Sequence, residues 1–251
     1  YAYTYSNPVR YVDPSGHMAC DGIDANGNCI KNGNNKRPGR QVLVNFKNHT
    51  GSWSAFSETC QTIISAAYQV GAKLASTLNQ MQKEMIHLGD IDEGDYHHYS
   101  AEEAFLLING GPIAFTLMLD LESYAGEANY QGGINIYKPG WVAKHPRLIL
   151  HELSHRLENV LGIKGNVTLP ANLRRSNNNY GDDETGFNGF AGGKYDWQFT
   201  LPNQLAFDYE TIADMGVGWV TGKWGPSSLG DERRKFMDSL LVDYLQPFLV
   251  K

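Results

Sequence analysis

Leu148-Ile149-Leu150-His151-Glu152-Leu153-Ser154-His155-Arg156-Leu157-Glu158-Asn159-Val160-Leu161 carries apolar side chains at helical spacing, with two histidines inside the pattern. On a helix, residues four apart share a face one turn above the other, so the His151 and His155 imidazoles can aim at one point. A tetrahedral zinc ion needs ring nitrogens at about 2.0–2.1 Å from such a point. Glu152 is rotated by about 100° from His151. It therefore flanks the point without ligating, placed to take a proton from a metal-bound water whose pKa falls toward ~7. Pro146 suits the first turn of this helix and Gly162 its end.

A catalytic zinc needs a third protein ligand and an open fourth position. Residues 158–161 are Glu158-Asn159-Val160-Leu161, so the run has no HExxHxxGxxH extension and the third ligand lies further on. The best-placed group is Tyr209-Glu210-Thr211-Ile212-Ala213-Asp214, on a helix predicted over about 202–217 with Thr200 as N-cap. Glu210 and Asp214 share a face, so Glu210 can bind the metal while Asp214 accepts the free ring N–H of a ligand histidine and fixes its tautomer. The rival is Asp182 or Asp183, in Tyr180-Gly181-Asp182-Asp183-Glu184.

HExxH followed by a helix with Glu-x-x-x-Asp resembles the gluzincin metallopeptidases. The resemblance implies His151, His155 and Glu210 as zinc ligands, Glu152 as general base and Asp214 as support for the first histidine. It also implies a zincin-like α+β fold: a small mixed sheet, an active-site helix and a mostly helical remainder. Gluzincins often add a Tyr or His donor that steadies the oxyanion, and Tyr180, Tyr195, Tyr209 and His145 are the candidates here. The rival ligands would instead resemble the aspzincins, without that family's usual Gly-Thr lead-in. In zincins an antiparallel edge strand above the metal pairs with an extended peptide, and Gly132-Gly133-Ile134-Asn135-Ile136-Tyr137 is expected to fill that role. The expected activity is endopeptidase hydrolysis of a protein or peptide. The alternatives are a non-catalytic, zinc-stabilised binding module and a zinc amidase acting on cell-wall peptides.

Tyr5-Ser6-Asn7-Pro8-Val9-Arg10-Tyr11-Val12-Asp13-Pro14-Ser15-Gly16 resembles the motif that ends the β-shell of RHS (YD-repeat) proteins. In that family a variable toxin domain follows, and the shell is often cut just after the motif, with the Asp at the position of Asp13 implicated. The departure is His17-Met18, where the family carries a small apolar residue. Residues 1–17 are thus expected to end such a core, 18–40 to be a linker and 41–251 to be a metallopeptidase toxin domain. The parent shell and an immunity protein are the implied partners, and secretion or delivery into a target cell is the implied fate. The absence of an initiator Met fits a piece of something longer.

The rest of the chain sets limits. A net charge of −6 and only short basic clusters argue against nucleic-acid binding. No window approaches 18 uninterrupted apolar residues, so no membrane span is expected, and no signal peptide is visible. Asp21, Asp24, Asn26 and Asn28 do not keep the spacing of a calcium loop and read as turn residues. A Cys20–Cys29 disulfide would require an oxidising compartment. His97 and His98 read as surface residues in a polar loop. A strand is expected over 41–46 and a long amphipathic helix over 57–88, between Ser57 as N-cap and Gly89 as C-cap. A second helix opens on the Ser100–Glu103 capping box, and a last one spans about 228–249, distorted near Pro247.

Overall fold

The computed structural model describes residues 22–23, 29–30, 43–47, 53–118, 126–128, 132–174, 204–225 and 228–249. It is a mixed α+β, mostly helical arrangement. The strands are β1 (Gly22–Ile23), β2 (Cys29–Ile30), β3 (Val44–Lys47), β4 (Ile113–Leu117), β5 (Gly126–Ala128) and β6 (Gly133–Ile136). The helices are α1 (Trp53–Leu88), α2 (Ala101–Asn109), α3 (Pro139–Val142), α4 (Pro146–Leu161), α5 (Gln204–Thr221) and α6 (Ser228–Leu245). Among the described residues no helix is long and apolar enough to cross a membrane.

α1 forms because its apolar residues recur every three or four positions. Cys60, Ile63, Ala67, Val70, Leu74, Leu78 and Met81 make one buried stripe. Full burial of a leucine or isoleucine contributes about 1.5–3 kcal/mol, so this stripe anchors the domain. The helix starts before the expected Ser57, which lies inside it, while Gly89 does close it in the left-handed conformation (φ 81°). α2 opens on the expected capping box, with Ser100 and Glu103 each bonding the other's backbone N–H, and closes on left-handed Gly110. Between the two helices, Gln82 and Asn79 clasp the extended segment at both ends. Gln82 bonds the N–H and C=O of His97, and Asn79 those of Tyr99, at 2.8–3.0 Å.

The main sheet runs β3-β4-β6-β5, the first three parallel and β5 antiparallel to β6. β4, not foreseen as a strand, is at its centre: Ile113, Phe115 and Leu117 alternate inward against the core. One expectation is overturned here. The strand at Gly133–Ile136 is not an edge, because it is paired on both sides; the edges are β3 and the three-residue β5. The last helix ends at Leu245, where the chain turns through a short 3-10 segment (Gln246–Phe248) containing Pro247.

Candidate metal centre

α4 begins with Pro146 in its first turn and ends at Gly162 (φ 74°), as the sequence predicts. Ile149, Leu153 and Leu157 face the core, and His151, Glu152 and His155 are buried beside them. α5 crosses α4 closely because the contact residues are small. Ser154 turns its hydroxyl back to the Leu150 carbonyl at 2.8 Å, and Gly216 presses against it.

That crossing brings Glu210 and Asp214 to the histidines. His151 Nδ1 lies 2.7 Å from Asp214 Oδ1. His151 Nε2 and His155 Nε2 lie 3.2 and 3.3 Å from the same oxygen, Glu210 Oε2. The two rings stand edge to face, with centroids 4.5 Å apart and planes at 84°. Ligands at about 2.0–2.1 Å from a tetrahedral ion are separated by roughly 3.3 Å, so these spacings fit one metal ion. Among the described residues His151, His155 and Glu210 form the one group able to hold such an ion. Glu210 retains 21% of its side-chain exposure, which leaves the point open on that side.

The electrostatics agree. Burial alone would push the His151 imidazole down, but Asp214 and Glu210 outweigh it and hold it well above the usual range. Burial and the neighbouring His151 push His155 down, and Glu158 and Glu210 reverse that. Glu210, raised by burial, is pulled far below the ordinary carboxylate range by the two histidines. A ring that donates through Nδ1 to Asp214 while Nε2 faces a second carboxylate needs positive charge at that face. Either an extra proton or a divalent cation supplies it.

Glu152 stands beside this point against the sheet edge. A Cβ on Gly126 would be 3.2 Å from its Cγ and Oε1, and the Ala128 backbone N–H bonds its carboxylate. Burial raises the Glu152 carboxyl, and the two histidines oppose the rise. The edge strand beside Glu152 is therefore Gly126–Ala128; no strand among the described residues pairs with its outer side. Its three residues, a glycine among them, carry no strand signal of their own.

Of the other candidates, Tyr209 lies flat on His155, centroids 4.0 Å apart, with the Lys164 ammonium 3.9 Å over its opposite face. Burial pushes its phenol far up, so it stays protonated. His145 is the N-cap residue of α4, nearly two turns before His151. Asp13, Cys20, Tyr180, Asp182, Asp183, Tyr195 and Thr200 lie outside the described residues. His97 is exposed and meets the Tyr99 ring edge to face, apart from the metal group.

Two neighbours of the site were not foreseen. Glu158, 3% exposed, faces His155 Nδ1 at 3.8 Å, and burial lifts its carboxyl to about 7. It is three residues after His155 and seven after His151, which is the spacing that could have revealed it. Arg233 of α6, also buried, donates to the Leu173 carbonyl at 2.8 Å and feels the charge of Asp214. No family model, curated protein or solved structure matches the chain.

Proposed function

We propose that the chain is a zinc-dependent endopeptidase with a zincin-like arrangement, serving as the effector domain of a larger RHS-type protein. The observation that carries the enzyme reading is the convergence of both Nε2 atoms on Glu210 Oε2, with Glu152 alongside and an edge strand beyond it. Three protein ligands with an exposed side are the pattern of a catalytic rather than a closed structural site. When bound, zinc supplies a Lewis acid and lowers the pKa of water toward ~7.

The protein's own groups do the remaining work. His151, His155 and Glu210 hold the ion, and Asp214 holds the His151 ring with its proton on Nδ1. Glu152 takes the proton of the attacking water and delivers it to the leaving amine, its carboxyl raised by burial toward the range where both transfers are easy. β5 offers its outer edge to an extended peptide, whose backbone adds as a further strand.

The N-terminal motif around Asp13 supports the parentage, and with it delivery into a target cell and neutralisation by an immunity protein. Glu152→Gln tests the mechanism. The variant is expected to keep zinc and fold while peptide hydrolysis drops roughly 10²–10⁴-fold, the usual contribution of a positioned acid–base. Hydrolysis at the wild-type rate refutes it.

A further inference from the structure

Accepting the metal centre proposed above, we propose that Glu158 is a positioning residue for the ligand His155, so that each zinc-binding histidine is backed by its own carboxylate. His151 has Asp214, reaching across from α5. His155 has Glu158, one turn along its own helix.

The observation is a set of buried polar atoms left unsatisfied together. His155 Nδ1 and both oxygens of Glu158 are buried without a hydrogen-bond partner, and they face each other at 3.8 Å. An unpaired buried carboxylate is costly, and an apolar side chain would suit the packing beside Leu157 and Leu161 better. His155 Nε2 is already turned to Glu210, so Nδ1 is the nitrogen left over. A hydrogen bond forms at about 2.8 Å, which leaves roughly 1 Å to close. Tyr209, stacked on the ring face, lets the imidazole slide within its own plane while resisting tilt.

Closure places the proton on Nδ1, leaves the Nε2 lone pair for the metal and makes the ring a stronger donor. The two supports differ in origin. Asp214 acts only when α5 is docked, whereas Glu158 comes with α4 itself.

Zinc affinity is measured by competition with a chromophoric chelator in the wild type, Glu158→Gln and Glu158→Leu, with metal-free thermal melts of each. Loss of a supporting partner of this kind costs about 10–100-fold in metal affinity. The Gln variant, which keeps an acceptor but no charge, is expected to lose less than the Leu variant. The Leu variant should melt at or above the wild type when metal-free. In the zinc-loaded wild type two imidazole Nδ1–H protons should appear downfield by NMR, and Glu158→Leu should lose the one belonging to His155. Wild-type zinc affinity in both variants, with both ring protons in place, overturns the assignment while leaving the metal centre standing. A wild type that takes up no zinc removes the metal centre and this role with it.

Discussion

Gly216 of α5 lies directly against Ser154 of α4: a Cβ built on the glycine would stand 2.7 Å from the serine Cβ. Real carbon atoms do not approach so closely, so the pair sets how near the two helices run. Glu210 and Asp214, six and two residues before Gly216, reach the histidines only because of that spacing. Gly216→Ala gains up to about 1 kcal/mol of helix propensity and loses about 1–3 kcal/mol to overpacking. Its stability should therefore fall modestly while zinc affinity falls clearly, because Glu210 is carried away with the helix. Adding Ser154→Gly should restore the affinity. A Gly216→Ala variant that binds zinc as the wild type does would show that the helix crossing does not control the site.

Gly126 separates the outer edge of β5 from Glu152, the proposed general base. A Cβ there would meet Glu152 Cγ and Oε1 at 3.2 Å, and the branched side chain of Gly126→Val would reach further into the carboxylate. Glu152 follows His151 on α4, but none of the three side chains grouped to hold a metal is among the atoms a Gly126 Cβ would meet. Turnover should drop by at least about ten-fold, since a misplaced acid–base loses most of its effect. Zinc stoichiometry and affinity should stay unchanged. Parallel loss of zinc would mean that Gly126 supports the whole centre rather than the base.

Elements with their own chemistry at both ends were legible in the sequence. α4 has Pro146 and Gly162, and α2 has its capping box. The grouping of His151, His155 and Glu210 was legible in part, because four-residue spacing on a helix puts His151 with His155 and Glu210 with Asp214. β4 was not, since Ile113–Leu117 follows Gly111-Pro112 in a short apolar run that periodicity alone does not assign to strand or helix. The edge was misplaced for a different reason. Gly133–Ile136 has the apolar alternation of a strand, but only pairing decides whether a strand lies inside or outside the sheet. Glu158 escaped notice because a glutamate near a helix end ordinarily faces water, and its burial depends on α5 and the core around it.

Arg233 brings positive charge to the acidic side of the centre. Burial lowers its guanidinium to about 10, with Asp214 opposing the shift, and its N–H holds the Leu173 carbonyl. Arg233→Met removes the cation and leaves Asp214 short of compensation. Losing that charge and leaving the buried Leu173 carbonyl without its donor costs about 1–3 kcal/mol. Urea unfolding should show a loss of that order in the metal-free protein and a smaller one with zinc bound, because the dication supplies the missing charge through His151. An equal loss in both states would assign Arg233 to the Leu173 contact alone.

Metal removal should reverse the pH dependence of stability. In the metal-free protein the His151 and His155 imidazoles titrate above their ordinary range, so the stability they contribute is full below about pH 6.5 and disappears as pH rises through the folded values. Glu158, raised to about 7, works in the same direction, costing more as it ionises. Glu210 is depressed, so its contribution is present at neutral pH and lost only in strong acid. The metal-free melting temperature is therefore expected to fall as pH rises above about 6.5. Zinc needs the same imidazoles deprotonated, so its binding releases protons and strengthens over that interval. At a free zinc concentration of about 100 times Kd, binding adds about 2.7 kcal/mol. The gap between zinc-loaded and chelator-treated melting temperatures should thus widen with pH, and calorimetry in buffers of different ionisation enthalpy should register proton release at neutral pH. A gap that narrows over this interval would mean that the imidazoles are not the groups displaced by the metal.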